Sequence, residues 1–138
     1  MPAFDAIRVG EALPEREYKP TNATMFFYNA AIWNAHRIHY DERYVTGVEG
    51  YPAIVVDGPL QADWLGQVVT EWLGDSGRLV RIKSNHRQAG YLGETFRAGG
   101  EVTAKDAAKH EVTLSLFVKN GKGELITPGE AVVRFDPV

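Results

Sequence analysis

The hydrophobic positions of this chain change their period twice. From Thr24 the string TMFFYNAAIW sets Met25, Tyr28, Ala31 and Ile32 at helical spacing, with Thr21 or Asn22 available as the cap. Phe26 and Phe27 widen the apolar face, which predicts a substantially buried helix. Asn34 to Tyr40 breaks the period and reads as an irregular loop. Asp41 can cap a short helix over ERYVTG, where Glu42 also suits the positive end. Tyr51-Pro52 is a turn, and AIVVD reads as a short buried strand. Gly58-Pro59 then opens the strongest apolar stripe, LQADWLGQVVTEWLG, with Leu60, Trp64, Leu65, Val68, Val69 and Trp72 on one broad face. Proline suits the first helical turn because its missing N–H has no partner there. Gly74 and Gly77 end the helix.

Beyond Gly77 the period shortens to two. RLVRIKSN alternates, and ETFRAGGEVTAKDA is β-prone, its double glycine predicting a bulge. HEVTLSLFVK and ELITPGEAVVRF flank Asn120-Gly121-Lys122-Gly123, a hairpin connection. Ahead of the first helix, AIRVGEALPEREYK carries Pro14 and fits an edge strand or an extended arm. One long apolar helix followed by several antiparallel strands predicts an α+β fold, a curved sheet closed around that helix.

Composition narrows the function classes. The 138 residues fit a single domain, 1–138, and 44% hydrophobic content is ample for a core. A net charge of -3 with both signs interspersed offers no basic stripe for a phosphate backbone, so no nucleic-acid partner is expected. The absence of cysteine excludes disulfides, thiolate metal ligands and a cysteine nucleophile, and makes a cytoplasmic setting the default expectation. No apolar run approaches the ~20 residues of a membrane span, and the N-terminus lacks a signal-peptide layout, so no membrane partner is expected.

Candidate chemistry gathers between Asn34 and Leu60, where NAHRIHYD and VVDGPL lie between apolar segments. His39 can give and take a proton near neutrality, or can simply bond a backbone carbonyl as a loop histidine. His36 is a possible second member of a site or an exposed side chain. Asp41 reads as a cap, and Arg37 as a brace of the loop or a phosphate contact. Arg78, Arg81, Lys83 and Arg87 offer either a solvated strand face or a contact for phosphates. A two-histidine, one-carboxylate metal set built on His36, His39 and Asp41, with His86 or His110 more distant, is disfavoured by the long central helix; no metal is expected. No partner for His86 or His110 is evident from the sequence.

The combined string NAHRIHYD…EGYP…GPLQA resembles the MaoC-like hydratases and dehydratases, whose loop motif is an acid, then Asn-Pro and an apolar residue, then His-x-Asp. His39-Tyr40-Asp41 matches His-x-Asp, Ile38 the apolar position and Gly58 the glycine that opens the central helix. The likeness covers most of residues 21–104 and is greatest to the branch of hydroxyacyl-thioester dehydratase type 2 and mesaconyl-CoA hydratase. It departs from the wider family at Asn34, where an acid is usual, and at Asp57, where histidine is usual. The resemblance implies a single hot-dog domain that adds water to an enoyl thioester, or removes it from a 3-hydroxyacyl thioester, without a cofactor. His39 would move the proton, Asn34 would hold the water and His36 would assist. The N–H of Gly58 or Leu60 would bind the thioester oxygen, with Asp57 beside them or supplying a replacement carboxylate. The implied partners are an acyl-CoA or acyl-carrier-protein thioester and a second hot-dog subunit, in a homodimer, a higher oligomer or a heteromer. In the alternative reading the chain is the non-catalytic, acyl-binding member of a heteromeric dehydratase.

Overall fold

A computed structural model describes residues 1–137. Its elements in chain order are β1 (Arg16–Tyr18), α1 (Asn22–Ala31), α2 (Glu42–Gly47), α3 (Gly58–Leu73), β2 (Gly77–Ser84), β3 (Phe96–Asp106), β4 (Glu111–Lys119) and β5 (Leu125–Phe135), with a 3₁₀ turn at Arg37–His39. The five strands form one antiparallel sheet in the order β1-β3-β4-β5-β2. The sheet curls around α3, which packs on β2, β3, β4 and β5. This is the α+β hot-dog arrangement that the resemblance implies. Among the described residues, no helix is long and apolar enough to cross a membrane.

The central helix forms for the reasons its sequence gives. Pro59 occupies the first turn, and Gly74, with φ +56°, ends the helix in a backbone region that side chains other than glycine disfavour. Leu60, Gln61, Trp64, Leu65, Val68, Val69 and Leu73 are buried along one stripe at helical spacing. Trp64 stacks on Tyr18 at 4.6 Å and meets Phe96 at 5.4 Å, while Trp72 is partly exposed and edge-on to Phe135. The Asn120 side chain organises the β4–β5 turn, accepting from the N–H groups of Lys122 and Glu124.

Three local expectations are corrected. Helix α1 is capped by Thr21 and Thr24 reciprocally, as its sequence suggests, but it buries only Met25 and Asn29. Phe26 and Phe27 are 59% and 69% exposed, because the helix turns toward the core the face on which Asn29 follows Met25 by one turn. The double glycine of β3 is not a bulge. Gly99 and Gly100 pair regularly with Phe117 and Leu116, and the irregularity falls at Val102–Ala104. A Cβ on Gly100 would stand 2.5 Å from Ser115 O, so this glycine serves close approach of β4. Finally, AIVVD makes no ladder. Val55 forms a single bridge to Tyr91, and the segment is pinned by Val55 N–H to Ile38 O and Val56 N–H to Gly90 O.

The burial contrast gives a stability test. Leu65→Ala, at a position with no exposed surface, is expected to cost about 3–5 kcal/mol in chemical unfolding. Phe27→Ala is expected to stay within about 0.5 kcal/mol of the parent. Equal losses at the two positions would contradict the placement of α1.

Candidate active site

The site begins where α1 stops. Trp33 takes a left-handed φ of +56° and reverses the chain, and Asn34 N–H returns to Asn29 O at 3.0 Å. That reversal lays Asn34 beside Asn29. The Asn29 amide has both hydrogens engaged: Nδ2 donates to Met25 O at 2.8 Å and to Asp57 Oδ1 at 3.0 Å. Asn34 Nδ2 donates to the other oxygen, Asp57 Oδ2, at 3.3 Å, and Asn34 Oδ1 accepts from His36 N–H at 3.1 Å. Asn29 Oδ1 is buried and has no protein partner among the described residues.

Asp57 sits at the N-cap of α3, where aspartate ordinarily accepts from the first-turn N–H groups. Here it makes no such bond. Its carboxylate turns sideways to the two asparagines and to His39, whose Nε2 lies 3.5 Å from Asp57 Oδ2. One consequence is chemical. With the cap diverted, the N–H groups of Gly58 and Leu60 have no acceptor among the described residues, and the first bond back is Gln61 N–H to Asp57 O. The start of α3 is left as an open pair of donors at the positive end of the helix dipole.

The imidazole of His39 is oriented by the backbone. Its Nδ1 is 2.8 Å from Val55 O, and a carbonyl only accepts, so Nδ1 carries the hydrogen. The nitrogen free to exchange a proton is therefore Nε2, the one facing Asp57. His39 is 9% exposed and Asp57 is fully buried. A buried carboxylate needs compensation, and two amide donors plus an imidazole that can be cationic supply it. Nε2, with the Asp57 carboxylate 3.5 Å away, is the atom through which this arrangement can take a proton from, or give one to, a neighbouring molecule.

His39 and Gly58 line one cavity of about 260 Å³, together with Val55, Val56, Gln61 and the segment His86–Ala89. A second, larger groove of about 460 Å³ is walled by Phe26, Ala30, Trp33, Ala35 and Tyr40, with Asn29 and Asn34 as its polar members. One recess thus lies beside the imidazole, and the other is strongly apolar and sized for a hydrocarbon chain.

The remaining expected residues fall as follows. His36 is exposed, edge-on to His39 with ring centres 5.7 Å apart, and its backbone N–H is the part that engages Asn34. The side chain of Leu60 belongs to the core, and of the two helix-start residues it is Gly58 that lines the His39 cavity. Asp57, expected on the substrate side, has no exposed surface and stands beside His39 Nε2 without lining the cavity. Both polar ends of Asn34 are already engaged, which leaves one N–H hydrogen and one carbonyl lone pair for a water. Asp41 caps α2 through Tyr44 N–H and pairs with Arg37, and the bond from Arg37 holds its carboxyl below the usual carboxylate range. Arg81 and Lys83 pair with Glu130, and Arg78 with Asp136, along a solvated strand face. Among the described residues, no three histidine, aspartate or glutamate side chains converge as a metal site. The sequence reading missed Asn29, though a lone amide one turn from Met25 on an otherwise apolar helix was a usable sign. It also missed that His86 returns to the His39 cavity, which depends on the path of the β2 exit and has no local sign.

Comparison with known proteins gives the family and the fold. The pattern of the family described as hydroxyacyl-thioester dehydratase type 2 matches residues 7–87. Mesaconyl-C(4)-CoA hydratase of Chloroflexus aurantiacus is 44% identical over 61 residues, 44% of this chain but only 19% of that protein. The chain thus aligns with well under two thirds of that relative's length. Among solved structures, the (R)-hydratase of A. caviae superposes with a TM-score of 0.87 at 21% identity, covering 95% of this chain and 98% of the other. The ChsH1–ChsH2 complex of Mycobacterium tuberculosis gives 0.83 at 21% identity, covering 94% and 98%. These structural likenesses establish the fold.

The buried carboxylate predicts a measurable dependence on its amides. Asn29→Ala removes the donor to Asp57 Oδ1 and is expected to lower unfolding stability by about 1–3 kcal/mol in urea titrations. No change would mean that Asp57 does not rely on α1.

Proposed function

The chain belongs to the hydroxyacyl-thioester dehydratase type 2 family, and we propose that it interconverts an enoyl thioester and a 3-hydroxyacyl thioester by adding or removing water. The observation that carries this reading is the shared cavity: the His39 imidazole lines it together with Gly58, at the start of a helix whose first N–H groups have no acceptor among the described residues. Hydration of a conjugated C2–C3 double bond needs both. The thioester oxygen, seated on the N–H of Gly58 or Leu60, draws electron density from C3 and makes it electrophilic. His39 Nε2 takes a proton from water as the water oxygen bonds C3, and the electron pair of the double bond moves toward the thioester oxygen. The imidazolium so formed lies against Asp57 and is stabilised by it. It then returns that proton to C2, the enolate-like charge collapses, and the imidazole is neutral again. Dehydration runs the same steps backward.

In this scheme Asn34 cannot act as a base and need not. The carboxylate that the wider family carries at that position is supplied from Asp57, one residue before the helix, and Asn34 ties it to the loop. The remaining lone pair of Asn34 and its remaining hydrogen suit a water beside Nε2. The apolar groove that Asn34 lines suits the acyl chain. β2 forms an edge of the sheet and exposes Val80 and Ile82, so association with a second hot-dog subunit through that edge is part of the proposal.

The test is loss of the enoyl absorbance when purified protein meets short and branched enoyl-CoA esters. His39→Ala is expected to lower the rate about 10²–10⁴-fold, and Asn34→Asp is expected to lower it as well, because a second carboxylate then replaces the amide that donates to buried Asp57. Silence from a folded sample across such a panel would contradict the reading. It would favour the second one, an acyl-binding partner in a heteromeric dehydratase, which the likeness to a two-protein complex supports.

A further inference from the structure

Gln61, Thr127 and His86 form a polar chain that the water-handling chemistry of His39 does not use. Gln61 and Thr127 are 2% and 0% exposed. Burying an amide and a hydroxyl lowers stability unless they are paired, and here they pair only along this chain. The direction of every bond in it is determined. Val56 O only accepts, so Gln61 Nε2 donates to it at 3.4 Å and Gln61 Oε1 faces Thr127. The Thr127 hydroxyl donates to that oxygen at 2.5 Å. With its one hydrogen so engaged, Thr127 Oγ1 accepts from His86 Nδ1 at 3.1 Å. The neutral ring of His86 is thereby held as the Nδ1–H tautomer, and Nε2 presents a bare lone pair.

That lone pair has a defined address. His86 Nε2 is 2.9 Å from the point where a side chain on Gly58 would begin, so the ring lies directly over the open first turn of α3. The backbone on either side is fixed to β5, Asn85 N–H to Pro128 O and Arg87 N–H to Ile126 O. His86 is exposed where His39 is buried, so the cavity they share has an inner end at His39 and an outer end at His86.

Resting on the thioester reading above, we infer that His86 is a substrate-contacting residue whose Nε2 accepts a hydrogen bond from the cysteamine amide of the thioester's carrier arm. With the carbonyl oxygen on the first turn of α3 and C3 at His39, the sulfur points to the outer end, where His86 stands. A bare lone pair there needs an N–H or O–H. The acyl part carries its hydroxyl at C3, which the reaction keeps at His39. On the other side of the sulfur, the nearest donor is the amide N–H across the ethylene link. Coenzyme A and acyl carrier protein present the same amide.

The decisive comparison uses crotonyl thioesters of N-acetylcysteamine and of its isosteric ester, in which oxygen replaces the N–H. The wild-type chain is expected to favour the amide by about 3–10-fold in kcat/KM, the worth of one hydrogen bond. In His86→Ala and His86→Phe, which alter an exposed ring and leave the core intact, the amide-over-ester ratio falls to about one. A ratio unchanged in both variants overturns the inference. His86→Ala should cost crotonyl-CoA and crotonyl acyl carrier protein the same factor, and a cost confined to one carrier would place the contact elsewhere and also overturn it. Binding of the saturated butyryl pair, followed by the ¹⁵N shift of His86 Nε2, reads the same contrast without turnover. Catalytic silence with an amide-dependent shift would therefore sink the hydratase reading while sustaining the His86 contact; binding of both with no shift would sink the contact alone.

Discussion

A carboxylate with no exposed surface holds the three parts of this molecule in register. Asp57 belongs to the start of the central helix, Asn29 to the first helix, and Asn34 and His39 to the loop between them. Leaving such a group unpaired would be far more costly than losing any one apolar contact, so the carboxylate dictates where its donors go. It turns the Asn29 face of α1 inward and leaves Phe26 and Phe27 outside. It brings the reversed chain at Trp33 back over Asn29, and it sets the His39 ring between a carbonyl and an acid. The same diversion strips α3 of its cap. Two features that look separate, an oriented imidazole and an uncapped helix start, thus share one cause.

That cause bears on how the proposed site differs from its wider family. The resemblance places an acid at position 34, where this chain has an amide. Asp57 instead puts a carboxylate beside Nε2 of the imidazole, buried and outside the residues that line the cavity. In the proposed reaction one group, His39, meets the reactants, and the acid acts through it. The N–H groups at the start of α3 would act where charge develops, and donors of that kind are typically worth about 2.7–4 kcal/mol of activation energy.

Much of the architecture could be read from the sequence, because those parts depend on local rules. The stripe from Leu60 to Val69, the proline in its first turn, the Asn120 turn and the Asp41 cap all express spacing or hydrogen bonds within a few residues. What escaped depends on partners far along the chain. The string around Phe26 is apolar on nearly every side, so periodicity could not choose a face; a buried acid twenty-eight residues away from Asn29 chose it. The double glycine looked like a bulge, yet it answers to the bulk of β4, which only the pairing register reveals. His39 and Gly58 line one cavity, as the resemblance implies, whereas Asp57 stayed open between a substrate contact and a replacement carboxylate, and Asn29 and His86 were not seen.

The central claim is that one cavity offers a thioester both the helix N–H groups and the His39 nitrogen. A crystal structure with a saturated acyl-CoA bound tests this most directly. The account predicts the thioester oxygen on the N–H of Gly58 or Leu60, with C2 and C3 about 3–3.5 Å from His39 Nε2 or from a water it holds. An acyl chain seated with its carbonyl away from α3, or with a side chain standing between it and His39, would contradict it.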